Sequence, residues 1–326
     1  MHARKPFRES VHEARIPITY EIVSLSGWQV EPYLDRLREV GLEERISAVN
    51  ITNNPTARVY VDANTYGYRV LRDTTYKDVI LHATCRDYTI ASIQSWLLGA
   101  MANGITNITV MTGDHPKTGD YPRMGRVDDF NPLELITGIT QYLNKGALFP
   151  ELLAKPHRTT DRYRPHTHRL EEPTDFFVGA VLLPVRPGEV EYAQLKRKAG
   201  AQYFQGQITY DASLILDFFD EAIAAGVTFD VPILIGNTPI TGKGLLKFLS
   251  TGLPNCRILP PTVKRLKEAR DMGKESVQVG LEMFSAVRDG LRERGVHTKI
   301  GAHILPITSY PLSVEIVDGI VSLWSN

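Results

Sequence analysis

The sequence predicts an α/β fold, a (β/α)8 TIM-type barrel in a single domain. Short runs rich in β-branched residues alternate about eight times with longer amphipathic stretches, the pattern of βα units around a parallel sheet. No Gly/Ser-rich linker separates these units. The length of 326 residues accommodates one barrel of roughly 250 residues with insertions. A doubly wound sheet of similar size is the alternative architecture.

The predicted strands and helices follow one another in order along the chain. The strands are short apolar runs, as expected for strands buried on both faces, and cover residues 18–23, 48–52, 79–85, 108–111, 176–183, 202–209, 231–235 and 299–305. The helices have apolar residues at helical spacing and cover residues 28–40, 68–75, 89–102, 132–144, 189–198, 212–225, 244–251 and 312–320. Gly41 and Gly104 lie just beyond two of these helices, where glycine commonly ends a helix.

Two segments fall outside the repeated pattern. Residues 147–175 contain four prolines, three histidines and many charges, which predicts an irregular surface insertion. Residues 261–294 have helical periodicity and predict a helical addition before the last strand. The predicted organisation is therefore one barrel domain over residues 1–326 with these two additions.

The charge balance argues against several classes of partner. Thirty-seven Lys and Arg residues balance 37 Asp and Glu residues, so no excess of positive charge favours nucleic acid. No apolar run approaches the ~20 residues that span a bilayer, and residues 1–16 lack an apolar signal core. Two cysteines, Cys85 and Cys256, form no disulfide framework. We therefore expect a cytoplasmic protein that binds neither membrane nor nucleic acid.

Common cofactor and metal motifs are absent from the sequence. It contains no Gly-x-Gly-x-x-Gly, Walker-type or Gly-x-Ser-x-Gly motif. His157, His166 and His168 lie close together in the sequence, but no cysteine or acidic spacing around them matches a structural metal site. We expect these histidines to belong to a solvated loop, and no metal to be bound.

A barrel directs attention to the carboxyl ends of its strands, which line the active site. Glu21 interrupts the apolar strand Ile-Thr-Tyr-Glu-Ile-Val. An inward-facing carboxylate loses solvation, which favours its protonated form and allows it to donate a proton near neutral pH. The alternative is an outward-facing glutamate paired with a Lys or Arg of a helix.

Three further polar residues are candidates for the same end of the barrel. Asp114 follows a strand and a Thr-Gly step, and can bind a flat ligand or simply belong to a turn. Gln207 lies two residues after Gln205, and the two amides can serve a ligand with donors and acceptors or a structural network. His82, in the third strand, is either a ligand-binding group or a hydrogen-bonded core residue.

Together these residues resemble the methylenetetrahydrofolate reductase family. The resemblance covers most of the chain and rests on the order and spacing of short pieces. Besides Glu21 these are Val49-Asn50-Ile51-Thr52, His82-Ala83-Thr84-Cys85, Gly113-Asp114, Phe176-Phe177-Val178-Gly179-Ala180, Leu195-Lys196-Arg197-Lys198 leading into Ala199-Gly200-Ala201, and Gln207 with Asp211 behind it.

The resemblance implies both an activity and site residues. In this family a reduced nicotinamide, NAD(P)H, reduces a bound flavin (FAD), which reduces the methylene group on tetrahydrofolate. It implies that Glu21 is the general acid that opens the substrate ring to an iminium. It further implies that Asp114 contacts the pterin and tunes the flavin, and that Gln207 contacts folate. The flavin contacts that it implies are Thr52, His82, Gly113 and Lys196.

The sequence departs from the family pattern around the flavin. Thr112 replaces an arginine that precedes Gly-Asp in well-known members, and Leu182 and Arg186 stand where a tyrosine and a histidine hold flavin. Some branches of the family transfer hydride directly from the nicotinamide, so both routes stay open. A non-catalytic pterin-binding partner subunit and a methanopterin-like carrier are the alternative functions. The partners that we expect are a small-molecule folate or related pterin and either further copies of the chain in a homo-oligomer or a partner subunit.

Overall fold

The computed structural model describes residues 6–22, 25–150 and 169–325. Eight strands pair in parallel, in chain order, to form a closed barrel. They are β1 Ile18–Ile22, β2 Ala48–Ile51, β3 Val79–Thr84, β4 Asn107–Met111, β5 Phe177–Leu182, β6 Tyr203–Ile208, β7 Ile233–Asn237 and β8 Ile300–Ile304. Because β1 pairs with both β2 and β8, the barrel prediction is confirmed and the doubly wound sheet is excluded.

Eleven α-helices are found in the described residues. They are α1 Phe7–Glu13, α2 Glu31–Val40, α3 Ala63–Asp73, α4 Ile90–Ala102, α5 Pro132–Thr137, α6 Glu189–Ala199, α7 Ala212–Ala224, α8 Lys243–Lys247, α9 Pro260–Glu268, α10 Met272–Glu293 and α11 Tyr310–Ser325. Side-chain caps fix several of their starts. Thr89 and Ser92 form a capping box at α4, and Asn131 and Glu134 form another at α5.

Caps also explain where the helices differ from the predicted ranges. Helix α3 begins ahead of the predicted residue 68, because the Asp62 carboxylate accepts a hydrogen bond from the Thr65 N–H at 2.9 Å. The helical addition predicted over residues 261–294 consists of the two helices α9 and α10, and Asp271 caps the start of α10. The sequence pattern gave no indication of α1.

Some predicted features lie outside the described residues. These are residues 1–5, Val23 at the end of the first strand, and residues 151–168 of the predicted insertion with their three histidines. Within the described ranges, no group of three or more His, Cys, Asp and Glu side chains is placed to hold a metal ion. In the same ranges, no helix is both long and apolar enough to cross a bilayer.

Helix α1 closes the amino-terminal end of the barrel. Its Phe7 is fully buried, and the Phe7 ring lies edge-on to Tyr203 at 5.1 Å between centroids. The Phe7 N–H donates to the carboxylate of Asp78, just before β3, at 2.7 Å. Helix α1 therefore blocks this end in the described part of the chain, and ligands are expected at the opposite end, where the strands finish.

The barrel interior is divided into two layers of different chemistry. An apolar floor lies next to α1 and consists of Phe7, Val11, Ala48, Ile80, Phe177, Tyr203 and Leu234. Gly179 makes room for it, because a Cβ atom there would lie 2.2 Å from the Tyr203 ring. Two residues further along the strands, the inward positions become polar. This alternation follows from the period of two in a β-strand.

Candidate active site

A layer of polar side chains fills the barrel beyond the apolar floor. We call it the polar layer, and its members are Thr19, Glu21, Asn50, His82, Thr109, Gln205 and His303, which come from six of the strands. All seven are buried. Buried polar groups need partners, since an unpaired one costs about 1–3 kcal/mol. Hydrogen bonds among the seven supply those partners.

Glu21 lies in this layer, with its side chain 11% exposed. Its Oε2 atom is 3.3 Å from Nε2 of His303, which projects inward from the neighbouring strand β8. The outward-facing alternative, with a Lys or Arg partner on a helix, is therefore wrong. Glu21 is the penultimate residue of β1, so its carboxyl group lies near the mouth of the barrel and is slightly exposed there. His303 contacts it from the side of the barrel interior.

Gln205 connects two histidines across the barrel. Its Nε2 atom lies 2.9 Å from Nε2 of His303 and 3.3 Å from Nε2 of His82. Its Oε1 atom accepts a hydrogen bond from the Thr109 hydroxyl at 3.1 Å. The amide thus links three strands, and its burial is explained by the polar layer.

His82 is a hydrogen-bonded member of the interior. Its Nε2 atom lies 3.3 Å from Oδ1 of Asn50 as well as 3.3 Å from the Gln205 amide. Burial lowers the pKa of His82 to about 4, against the opposing effect of the Glu21 carboxylate. His82 is therefore neutral at physiological pH, and it adds no positive charge to the site.

Gln207 does not join Gln205 in this layer. Its Oε1 atom accepts a hydrogen bond from the Ile208 N–H at 2.9 Å. It lines a small cavity at the mouth with Pro184, Leu214 and others. A register irregularity in the β6–β7 pairing lies between residues 205 and 208, and it separates the environments of the two amides.

Gly113 and Asp114 lie in the loop that follows β4. Gly113 has a φ of +85°, and a Cβ atom there would lie 3.1 Å from the Thr84 Cβ. Glycine is needed because this left-handed backbone packs directly on the end of β3. The Asp114 carboxylate is exposed and accepts a hydrogen bond from the Thr56 N–H at 2.6 Å. Asp114 therefore connects the loops after β2 and β4.

Arg86 also connects the loops after β2 and β4, through its buried side chain. It is 2% exposed, and its guanidinium donates to the Asp114 carbonyl at 3.0 Å and to the Asn54 carbonyl at 3.1 Å. Its charge is balanced by Asp87, with Nε 2.7 Å from Oδ1. One buried side chain thus fixes the ends of three consecutive strands at the mouth.

Lys196, on α6, lies in a buried ion pair. Its ammonium group donates to the Val181 carbonyl at 2.6 Å and to Oε1 of Glu189 at 3.1 Å, and its third side faces the Tyr192 ring at 4.4 Å. Burial lowers the pKa of Lys196 to about 8. Glu189 is also paired with Arg186. The ammonium group of Lys196 therefore binds the protein itself.

The residues that the resemblance implies for flavin do not form one site. Thr52, buried just after β2, and Gly113 lie at the mouth, but His82 lies in the polar layer and Lys196 in its ion pair. Both of the latter are buried and already bonded within the chain. This set therefore does not fit a flavin with its phosphate groups.

Two functional candidates were missed by sequence reasoning. His303 occurs in Ile-Gly-Ala-His-Ile, where a single histidine in a strand gives no sign of its partner, because only closure of the barrel brings β8 beside β1. Arg86 was detectable in principle. An Arg-Asp pair directly after a predicted buried strand places two charges at the functional end of a barrel.

Comparison with known proteins decides the family. A family model described as methylenetetrahydrofolate reductase matches residues 18–318, nearly the whole barrel. The chain belongs to the methylenetetrahydrofolate reductase family. The resemblance seen in the sequence is confirmed. No curated protein matches the chain.

Two solved structures show the same fold. One is an uncharacterized protein from Clostridium thermocellum that binds two copies of 5-methyl-5,6,7,8-tetrahydrofolic acid. It is 16% identical with a TM-score of 0.64, over 96% of this chain and 98% of its own. The other is EDTA monooxygenase from Chelativorans sp. BNC1, 12% identical with a TM-score of 0.55, over 96% of this chain and 94% of its own. At these identities the likeness concerns the barrel alone.

Proposed function

We propose that this member of the family reduces a methylene-tetrahydrofolate-type carrier to the methyl form, with NAD(P)H as the reductant. One observation carries the proposal, the inward, largely buried carboxyl group of Glu21 at the carboxyl end of β1, 3.3 Å from Nε2 of His303. Membership of the family and a folate-binding relative of the same fold support the substrate class.

Glu21 serves as the general acid in this reaction. The methylene group of the carrier bridges two nitrogens, and proton transfer from the Glu21 carboxyl to one nitrogen breaks its bond to the bridging carbon. The other nitrogen and the carbon then form an iminium. Addition of hydride to this carbon gives the methyl group. One proton and one hydride are consumed for each carrier reduced.

The reduced nicotinamide supplies the hydride. Direct transfer to the carrier is the route that we propose, because Lys196 and His82 are bonded within the protein. The mouth loops tied together by Arg86 then hold the two flat rings against each other at the open end of the barrel. Asp114 and Gln207 are proposed to contact the pterin, since both side chains have polar atoms at this end of the barrel.

The proposal is tested by turnover of the purified chain. NAD(P)H and methylene-tetrahydrofolate are supplied together, nicotinamide oxidation is followed by absorbance, and methyl-tetrahydrofolate is identified by mass. General acid catalysis contributes roughly 10²–10⁴-fold, and Glu21→Gln is expected to lower kcat by an amount in this range. Glu39→Gln, an exposed glutamate on α2, is the matched control and is expected to leave kcat unchanged.

Three outcomes would change the assignment. Binding of the folate without nicotinamide oxidation would identify a pterin-binding subunit instead of an enzyme. Turnover only with a methanopterin-type carrier would keep the reaction and change the substrate. Bound flavin, visible as a yellow colour of the purified protein, would replace direct transfer by the flavin route.

A further inference from the structure

The geometry around His303 extends the proposed function, on which this inference rests. His303 is 2% exposed, and both of its ring nitrogens have polar neighbours. Nδ1 lies 3.1 Å from the Thr19 hydroxyl, while Nε2 faces two groups, the Glu21 carboxyl at 3.3 Å and the Gln205 amide at 2.9 Å. The ring is therefore fixed in place, with Nε2 directed at the carboxyl group that we propose as the acid.

We propose that His303 is a positioning residue for Glu21, and that the two side chains hold a single proton between them across neutral pH. A carboxyl and an imidazole in contact in a buried site titrate as one coupled pair. The proton lies on Glu21, whose O–H then donates to Nε2, or on Nε2, whose N–H then donates to the carboxylate. Either arrangement keeps a transferable proton next to the carrier.

The neighbouring polar layer is suited to both arrangements. When Nε2 is unprotonated, the Gln205 amide presents its N–H to the ring. When Nε2 carries the proton, the amide can present its oxygen after rotation. The Thr109 hydroxyl on the other side of the amide donates or accepts as required. It lies 2.8 Å from the Tyr203 hydroxyl, whose single hydrogen can be donated either to Thr109 or to the Ile108 carbonyl.

The other titratable groups that are hydrogen-bonded to the polar layer, among the described residues, stay neutral. They are His82 and Tyr203, beside Glu21 and His303 themselves. Burial lowers the pKa of His82 to about 4 and raises the pKa of Tyr203 above its usual range. The remaining polar neighbours of the pair, Thr19, Asn50 and Gln205, do not ionise. The proposal therefore concerns only the single proton shared by Glu21 and His303.

A pH profile of kcat distinguishes positioning from a structural role. Without His303, the carboxyl group of Glu21 loses the partner that we propose to share its proton. His303→Gln is expected to move the alkaline limb of the kcat profile down by at least about one pH unit (a tenfold change, or about 1.4 kcal/mol), with KM for the carrier changed less than threefold. A uniform fall in kcat at every pH, with the limb unmoved, would overturn the proposal.

His82→Gln is the matched control in the same layer. His82 shares the Gln205 amide with His303 but is not bonded to Glu21 in the described residues, so its removal is expected to leave the midpoint of the alkaline limb in place. An equal shift in both variants would overturn the specific role of His303. If the wild-type chain shows no turnover, the proposed function is wrong. Sharing of a proton by Glu21 and His303 is then tested by a measurement on the protein that does not require activity.

Side-chain nitrogen NMR of the whole chain labelled with ¹⁵N-histidine gives that independent readout. The His303 signal is assigned with His303→Gln or, should that variant not fold, with His303→Asn. A carboxylate in contact favours the imidazolium, so Glu21→Gln is expected to lower the midpoint of His303 protonation by at least about one unit (tenfold in the equilibrium). The exposed His12 is the internal reference. An unchanged His303 midpoint would overturn the proposal, whatever the activity.

Discussion

The hydroxyl of Tyr203 lies 2.8 Å from the hydroxyl of Thr109, and this contact joins the two layers of the barrel interior. The Tyr203 ring belongs to the apolar floor beside Phe7, while its hydroxyl also donates to the Ile108 carbonyl at 3.2 Å. Tyr203 therefore links the polar layer that contains Glu21 to the apolar floor, and this contact fixes the position of the polar layer along the barrel axis.

Loss of the Tyr203 hydroxyl should lower stability measurably. Tyr203→Phe keeps the ring packing and removes the hydrogen bonds to Thr109 and Ile108, and we expect it to lower the free energy of unfolding by about 1–2 kcal/mol. Tyr68→Phe, at a half-exposed surface tyrosine, should change it by less than about 0.5 kcal/mol. Urea denaturation measures both. Equal effects of the two changes would contradict the role of this contact.

Acid stability depends on two buried groups with opposite effects. The pKa of His82 is lowered to about 4, so between pH 6.5 and 4 the unfolded chain binds a proton that the folded chain does not, and stability falls as pH falls. Burial raises the pKa of Asp78 to about 6, so between pH 6 and 4 the folded chain binds the extra proton, and stability rises as pH falls.

Variants at these two positions separate the contributions. Relative to wild type, His82→Gln should show stability that declines less, or increases, from pH 6.5 to 4. Asp78→Asn should show a steeper decline between pH 6 and 4. Each difference amounts to roughly 2–3 kcal/mol over its range, from about 1.4 kcal/mol per pKa unit. Urea denaturation at a series of pH values measures them. Parallel pH curves for all three proteins would refute both assignments.

The Arg86 clamp predicts a local effect on the mouth loops. Arg86→Lys keeps the charge, but a lysine cannot bond the Asn54 and Asp114 carbonyls together with Asp87. We expect hydrogen exchange of the segment 54–58 to accelerate at least about tenfold, a loss of about 1.4 kcal/mol of local stability. Arg45→Lys, in an exposed pair with Asp318, is the control. Unchanged exchange in the Arg86 variant would show that the clamp is unimportant.

The ion pair of Lys196 and Glu189 predicts that substitutions of the two residues have strongly non-additive effects on the free energy of unfolding. Lys196→Met leaves a buried carboxylate with Arg186 as its remaining cation, and we expect it to destabilise the chain by about 3 kcal/mol. The double variant with Glu189→Gln should lose much less than the sum of the two single losses. Arg197→Met, next to it in sequence but in an exposed pair with Asp230, should cost at most about 1 kcal/mol. Additive losses at Lys196 and Glu189 would contradict the buried pair.

The fold was predictable because alternation of apolar runs and helices is a local signal. Glu21 was also predictable, since one carboxylate in an apolar strand is conspicuous. His303 was not, because its meaning depends on β8 closing against β1. The resemblance implied a flavin contact for Lys196, but the sequence did not indicate that Glu189, on the same helix, pairs with its ammonium group. The residue type alone made Glu21 predictable, whereas the roles of His303 and Lys196 depend on partners that only the folded chain brings together.

The Gln205 and Gln207 amides show the same limit. Strand alternation placed both on one face, yet the irregularity in β6 between residues 205 and 208 gives them different neighbours. Bulges of this kind depend on pairing with the next strand, which no local pattern specifies. The same holds for α1, whose role in closing the barrel depends on contacts with Tyr203 and Asp78.

Transfer of deuterium is the most direct test of the proposed reaction. The purified chain is incubated in ordinary water with methylene-tetrahydrofolate and NAD(P)H deuterated at the transferred position of the nicotinamide ring. Direct transfer predicts one deuterium in the methyl group of the product, a colourless protein, and little product with Glu21→Gln. Absence of methyl-tetrahydrofolate, or a methyl group from which the label has been lost to water, would contradict the account.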